Sequence, residues 1–508
     1  MKIKLTKLNF LIILQIILFN LSGQTWQKTY KNGSSDDFGY SITKTIDSCY
    51  LISGSIDYNI GHLYKIDKNG SIVWSKSYIP SLNSINYSTS INSIIQNTDS
   101  TVMISGRFNN PTPGIPAVNS TSKLSKNGTI LFSLKNTGSR IFKNSNNDFI
   151  TFSSNNSVSN LSNNGTVLWK KDFYNFSTEC VAKLSDGNII CVGSADYMAL
   201  SRHLALMKLS NNGDTIWIKW RYGASSGQSV SSINNGGFIF TDGSSIYKCD
   251  NNGTVIFEKS MNNSSSIVVS LSKTIPAIDG SVYIAGSISG QGAGGSDFFL
   301  MKMDSVGNTI WSKTYGSLLD ETLFDLILGF DNSLILIGIT NGLSSINSDI
   351  FVVKTDLNGS TSCNENISTL PIVTNSVYQF QPSYFINNLV TSQVAISNYS
   401  INSTTNNYTS NNICSNVSVK DNSIENIKFK FYPNPTNDNI TIDCDNLANL
   451  TGHQIKISNA LGQQVFQSAI TQQQFYVNMN TWGGNGIYFV NLINAQGVTI
   501  ETRKIVLQ

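Results

Sequence analysis

Between residues 25 and 360, short apolar runs alternate with polar turns, and no stretch in this region keeps a helical period. Runs such as HLYKID, LALMKLS, FFLMKMD and IFVVKTD read as strands. Each is followed by a polar-polar-Gly turn, ending at Gly70, Gly128, Gly165, Gly213, Gly253, Gly307 and Gly359. Asn-Gly between two apolar runs is the strongest short hairpin signal, because a type I′ turn needs positive φ at both central residues. After the turn comes a strand with an aromatic residue, any residue, then Lys, as in SIVWSKSY and NTIWSKTY. Two more strands joined by a short turn stand upstream, as in ECVAKL-SDGN-IICVGS.

The seven glycine anchors lie 37 to 58 residues apart. Four short antiparallel strands per unit, repeated at this spacing, predict a β-propeller. The fourth strands carry Trp74, Phe132, Trp169, Trp217, Phe257 and Trp311, which makes six. The seventh unit stops at LNGSTSCNEN without one, while TWQKTY stands alone at 25–30. Trp26-Gln27-Lys28 is therefore expected to supply the outer strand of the last blade and close a seven-bladed ring. The fold class expected is all-β: this propeller over 24–362, an Asn/Ser/Thr-rich β appendage and linker over 363–426, and a C-terminal Ig-like β-sandwich over 427–508.

The recurring aromatics are read as packing between blades. Lys28, Lys76, Lys171, Lys219, Lys259 and Lys313 follow them on the expected outermost strands. There a lysine blocks edge-to-edge pairing.

Charged residues are 13% of the chain, against about 25% in an ordinary soluble protein. With net charge +3 and no basic run, there is no electrostatic footprint for nucleic acid. Lys2, Lys4 and Lys7 precede an apolar stretch at 10–19, then Ser22-Gly23. This reads as a signal peptide over 1–23, too short to span a bilayer, and no later segment offers a transmembrane anchor. Export permits disulfides. Of seven cysteines, Cys363 and Cys414 flank one Asn/Ser-rich segment and form the candidate pair. No C-x-x-C pair occurs, and the other cysteines read as packed thiols.

Chemistry is sparse. His62, His203 and His453 fall in different units with no ligand spacing, and read as solvated loop histidines. No catalytic motif, cofactor fingerprint or complete calcium loop is present, so no catalytic residue, metal site or cofactor is assigned. Asp297 and Asp349 each stand five residues before a lysine, and a repeat-structural role fits them. Within each unit the first-to-second and third-to-fourth turns are short. The connections at 54–62, 106–121, 193–203, 286–297 and 338–349 are long and share the opposite face. Long loops on a rigid scaffold are where recognition usually lives. Tyr58, Asn110, Tyr197, Arg202 and Gln291 are the candidate contacts for an unidentified glycan or protein ligand.

The tail is more specific. Tyr432-Pro433-Asn434-Pro435, then Asn459-Ala460-Leu461-Gly462-Gln463, then Gly486-Ile487-Tyr488, with Lys504 just before the end, occur in order. Residues 427–508 thus resemble the type A C-terminal sorting domain of type IX secretion cargo. That resemblance implies a Gram-negative periplasm-to-surface route, recognition by an outer-membrane translocon, and removal by a sorting peptidase. The repeats, including W-x-K-x-Y-G ending at Tyr315-Gly316, are similar to propeller repeats found upstream of such domains, which implies a fold and no defined activity. The expected function is a non-catalytic surface or secreted binding protein. The alternatives are an exported polysaccharide hydrolase or lyase, whose acidic residues would converge from different blades, and a structural surface or adhesion component.

Overall fold

The computed structural model describes residues 25–415 and 429–508, apart from stretches of one to seven residues between elements. It falls into two units, divided after Asn416. No helix among the described residues is long and apolar enough to cross a membrane.

Among the described residues the first unit holds seven antiparallel sheets, six of which take four strands from one repeat. In chain order they cover 37–82, 88–135, 140–173, 176–221, 229–261, 268–315 and 321–355, here called blades 1 to 7. Blade 7 contributes only three strands of its own. Trp26–Lys31 is the fourth, antiparallel to Asp349–Thr355 with Trp26 opposite Lys354 and Tyr30 opposite Ile350. The chain's first described strand therefore completes its last repeat.

The core is divided among the seams between neighbouring sheets. Ile150 and Phe152 of blade 3 pack on Cys191 and Met207 of blade 4. Phe298 and Leu300 of blade 6 pack on Leu336 and Phe351 of blade 7. At the closing seam Ile337 and Val352 of blade 7, with Trp26 and Tyr30, meet Ile52 and Tyr64 of blade 1. A sheet that is apolar on both faces must be covered on both, and the ring of seams provides this.

Residues 363–426, expected as an appendage and linker, are placed differently as far as they are described. Seven short strands, from Glu365–Ile367 to Thr409–Ser415, each pair with the fourth strand of a different blade. They take blades 6, 5, 4, 3, 2 and 1 in turn, and the last lies on blade 7 against Trp26–Lys31. The segment is a belt that runs round the propeller opposite to the blade order. Apolar anchors fix it: Phe380 is buried at the seam of blades 4 and 5, and Ile401 and Tyr408 pack into the seams on either side of blade 1. Cys363 and Cys414 are joined by a disulfide, with Cα atoms 6.2 Å apart, so the two ends of the belt meet. Gln27 sits under this clasp, donating to Thr361 Oγ1 at 3.0 Å and the Cys363 carbonyl at 2.8 Å.

The belt corrects the reading of the lysines. The fourth strands are not sheet edges, because belt strands cover them. Lys28 and Lys219 instead lie over the indoles of Trp26 and Trp217, at 5.4 and 5.2 Å from the ring centroids. Lys171 pairs with Asp214 at 3.3 Å, and Lys313 with the belt residue Glu365 at 3.2 Å.

The histidines are also corrected. His62 and His203 are buried on third strands, and His453 is buried in the second unit. His62 lies against Tyr408 of the belt, the rings tilted with centroids 4.4 Å apart, and burial holds its pKa down at about 3. His203 lies between Trp220 and Tyr222.

The second unit is two facing sheets. One joins Phe429–Tyr432, Asn439–Cys444 and Gln474–Asn478; the other joins Gln464–Ala469, Gln454–Asn459, Gly486–Ile493 and Thr499–Leu507. Ile442, Ile457, Met479, Trp482, Val490 and Ile505 fill the space between them.

Candidate functional site at the central channel

The innermost strand of every blade borders one cavity of about 480 Å³. Its position follows from a local irregularity repeated around the ring. In blades 1, 2, 4, 6 and 7 the innermost strand carries a bulge opposite the second strand. The extra residues are Tyr40, Asn92, Glu179, Ser272 and Phe324, and all five line the cavity. A bulge re-aims a side chain that a regular pleat would turn elsewhere.

Each bulge faces a glycine on the second strand: Gly54, Gly106, Gly193, Gly286 and Gly338. A Cβ at these positions would stand 1.6 to 2.1 Å from a carbonyl oxygen of the innermost strand. Glycine is thus required by the close approach of two backbones.

Four charged side chains reach the cavity. Lys273 pairs with Asp325 at 2.8 Å, and Asp325 also accepts from Ser41 Oγ and the Ile42 N–H at 3.1 Å each. Arg140 stands 3.9 Å from Glu179 and donates to its backbone carbonyl; Glu179 accepts from Ser177 Oγ at 3.1 Å. Tyr40 and Phe324 meet edge to face, 5.3 Å between centroids. The wall is therefore polar, with one aromatic pair. A second cavity of about 170 Å³ shares Asn92, Arg140 and Glu179 with the channel and adds Arg107, Asn119, Ser139, Ser153 and Thr178.

The loop residues singled out from the sequence lie elsewhere. Tyr58 is exposed at a turn, its ring 4.0 Å from that of Phe38. Arg202 is exposed on a third strand, opposite Asp196. Tyr197 ends the strand before it. Gln291 accepts from Ser368 Oγ of the belt at 2.7 Å. Asn110 lies outside the described residues. The channel residues are not among those singled out from the sequence; the lone glycine inside the second strands of blades 1, 2, 4, 6 and 7 is their signal.

Buried carboxylates near the long loops organise backbone. Asp297 accepts from the Ala293 N–H at 3.0 Å; Glu321 accepts from the Ser317 N–H at 2.8 Å and Thr340 Oγ1 at 2.6 Å. No cluster of three or more metal-ligating side chains is present among the described residues.

In the second unit the tail motif acts as a clamp. Asn434, between the two cis prolyl bonds at Pro433 and Pro435, donates to the Lys504 carbonyl at 2.8 Å and accepts from the Val506 N–H at 2.9 Å. Tyr432 is part-exposed and Lys504 exposed. Gly462 takes positive φ in the turn closed by Asn459. Tyr488, on the strand that begins at Gly486, donates to the Gly484 carbonyl at 2.7 Å.

Residues 430–508 match the secretion system C-terminal sorting domain. The protein is thus a propeller followed by the sorting tail of type IX secretion cargo, which marks it for export to the cell surface or the medium. No match is found among curated proteins. Among solved structures the chain is similar to the Dos1 propeller (11% identity, TM-score 0.42, 66% of this chain and 96% of that one). It is also similar to the C-terminal WD40 domain of Sif2 (12%, 0.39, 64% and 98%). A third is PorZ, a surface component of the type-IX secretion system of Porphyromonas gingivalis (9%, 0.31, 91% and 69%).

Proposed function

We propose that this protein is a non-catalytic binding module, a ring of seven blades whose channel and long-loop face receive a glycan or protein outside a Gram-negative cell. The carrying observation is the state of the channel carboxylates. Asp325 is held by Lys273, Ser41 and the Ile42 N–H, while Glu179 accepts from Ser177 and stands 3.9 Å from Arg140. A carboxylate with as many donors as Asp325 is a poor general base or nucleophile, since its lone pairs are committed. The signal peptide over 1–23 and the tail over 427–508 would direct the chain through the periplasm. There the translocon reads the tail and a sorting peptidase removes it.

An exported polysaccharide hydrolase or lyase is the second reading, supported by the presence of Glu179 and Asp325 in one cavity. Incubating the full chain with a polysaccharide panel separates the two. Retention without turnover is expected; turnover lost in Glu179→Gln or Asp325→Asn rejects the binding module. Fusing residues 421–508 to a periplasmic reporter tests the route. Failure of export in a host with this secretion system rejects it.

A further inference from the structure

The smaller cavity beside the channel is chemically lopsided. Arg107 and Arg140 both line it, and Glu179 is the one carboxylate among its lining residues. Arg107 is exposed, and no ion pair among the described residues involves it. Arg140 uses its Nη1 on the Glu179 carbonyl and meets the carboxylate only at 3.9 Å, leaving its other guanidinium N–H groups uncommitted among the described residues. Thr178, 1% exposed, lines the same cavity, and its hydroxyl has no hydrogen-bond partner among the described residues. A buried hydroxyl without a partner is costly unless a ligand or water completes it. The rest of the wall is Asn92, Asn119, Ser139 and Ser153.

We propose that this cavity is a subsite for an acidic sugar. The sugar's carboxylate or sulfate would lie between Arg107 and Arg140, and its hydroxyls on Thr178 and the amides. Guanidinium groups match planar carboxylates and sulfate through parallel N–H donors. The dense hydroxyl and amide lining offers donors and acceptors side by side, which matches the several adjacent hydroxyls of a sugar ring. The Tyr40–Phe324 pair in the adjoining channel offers a face for the next ring. This inference rests on the binding-module reading and names its ligand class.

Titration calorimetry on the full chain tests it, with four probes: an oligogalacturonate, a sulfated neutral oligosaccharide, the unsulfated parent and a poly-glutamate peptide. One or both acidic sugars should bind and the neutral parent at least tenfold more weakly; which acidic sugar binds identifies the anion. Arg107→Gln should weaken acidic-sugar binding tenfold or more, Arg107→Lys less, with the melting temperature unchanged. Lys68→Gln, a charge change on the exposed outer hairpin turn of blade 1 and outside the subsite lining, should leave affinity unaltered. An Arg107→Gln effect below twofold overturns the subsite, as does equal binding of the neutral parent. Binding of poly-glutamate alone overturns the sugar assignment while leaving a binding module. Silence from every probe counts against both.

Discussion

The indole of Trp26 lies against Gly70, where a Cβ would stand 2.9 Å from the ring, and Tyr30 donates to the Gly70 carbonyl at 2.8 Å. Trp26 belongs to blade 7 and Gly70 to blade 1. The same contact recurs around the ring: Trp74 on Gly128, Phe132 on Gly165, Trp169 on Gly213, Trp217 on Gly253, Phe257 on Gly307 and Trp311 on Gly359. The aromatic of each fourth strand thus locks onto the hairpin turn of the next blade. Glycine is required there twice, for its positive φ and for the flat ring beside it.

Removing the lock at the closing seam should be severe. Trp26→Ala should cost about 3–5 kcal/mol, the usual range for a buried large aromatic, read by equilibrium denaturation. Deleting residues 25–32 should cost more, because a whole strand between blade 7 and the belt is lost. Unchanged stability in either variant would mean that the ring closes without this strand.

The bulge glycines give a second expectation. A Cβ on Gly106 would stand 2.0 Å from the Ser90 carbonyl oxygen, a backbone atom that cannot swing away. Gly106→Ala should therefore destabilise by about 1–3 kcal/mol as an overpacking change. It should also displace Asn92, visible as altered amide exchange along Ser88–Gln96. A variant as stable as the parent would show that the bulge relaxes.

Much of this architecture can be read along the chain. The polar-polar-Gly turns, the aromatics that meet them and the surplus TWQKTY are local signals, and each corresponds to an observed contact. The belt could not be read in the same way. Several of its strands, such as Gln381–Pro382 and Asn388–Leu389, are two residues long, too short to show alternation. Their order, opposite to that of the blades, is a long-range property. The channel was hidden because a bulge breaks the two-residue period on which strand faces are read. His62 was misread because its partner Tyr408 is more than three hundred residues away.

Stability should rise as pH falls from 7 towards 4. Burial raises the Asp37 carboxyl to about 6, despite hydrogen bonds from Tyr408 and the Asn32 N–H. Burial also raises Asp297, Glu321 and Asp242. Between the unfolded and folded values the native state holds more protons, so stability is lost as pH rises through the folded pKa. For Asp37 the difference corresponds to about 3 kcal/mol. Below about pH 4 the sign reverses. Asp279, held at about 2 by Ser281 and Lys302, contributes stability that disappears on protonation. Asp331 behaves likewise through Lys354, although burial opposes it. Melting temperatures from pH 7.5 to 3 should peak near 4 to 5, and Asp37→Asn should flatten the rise. An unaltered profile in that variant would place the effect on other carboxylates.

The Cys363–Cys414 clasp carries the last expectation. It closes a loop with a sequence separation of 51, and that loop circles the blades. Chain-entropy arguments give such a cross-link about 4 kcal/mol. The effect should be uneven in space. Cys414 lies opposite Gln27, and the last belt strand is the outer cover of Trp26–Lys31. Reduction, or Cys363→Ser with Cys414→Ser, should therefore speed amide exchange first in Thr409–Ser415 and next in Trp26–Lys31. Inner strands such as Leu334–Thr340 are paired on both sides by blade 7 itself and should keep their protection until global unfolding. The clasp also lies just ahead of Asn416, where the first unit ends. A chain cut anywhere beyond that point should keep the same exchange pattern as the full protein. Fast exchange of the belt in the oxidised, cut protein would show that the clasp does not hold it.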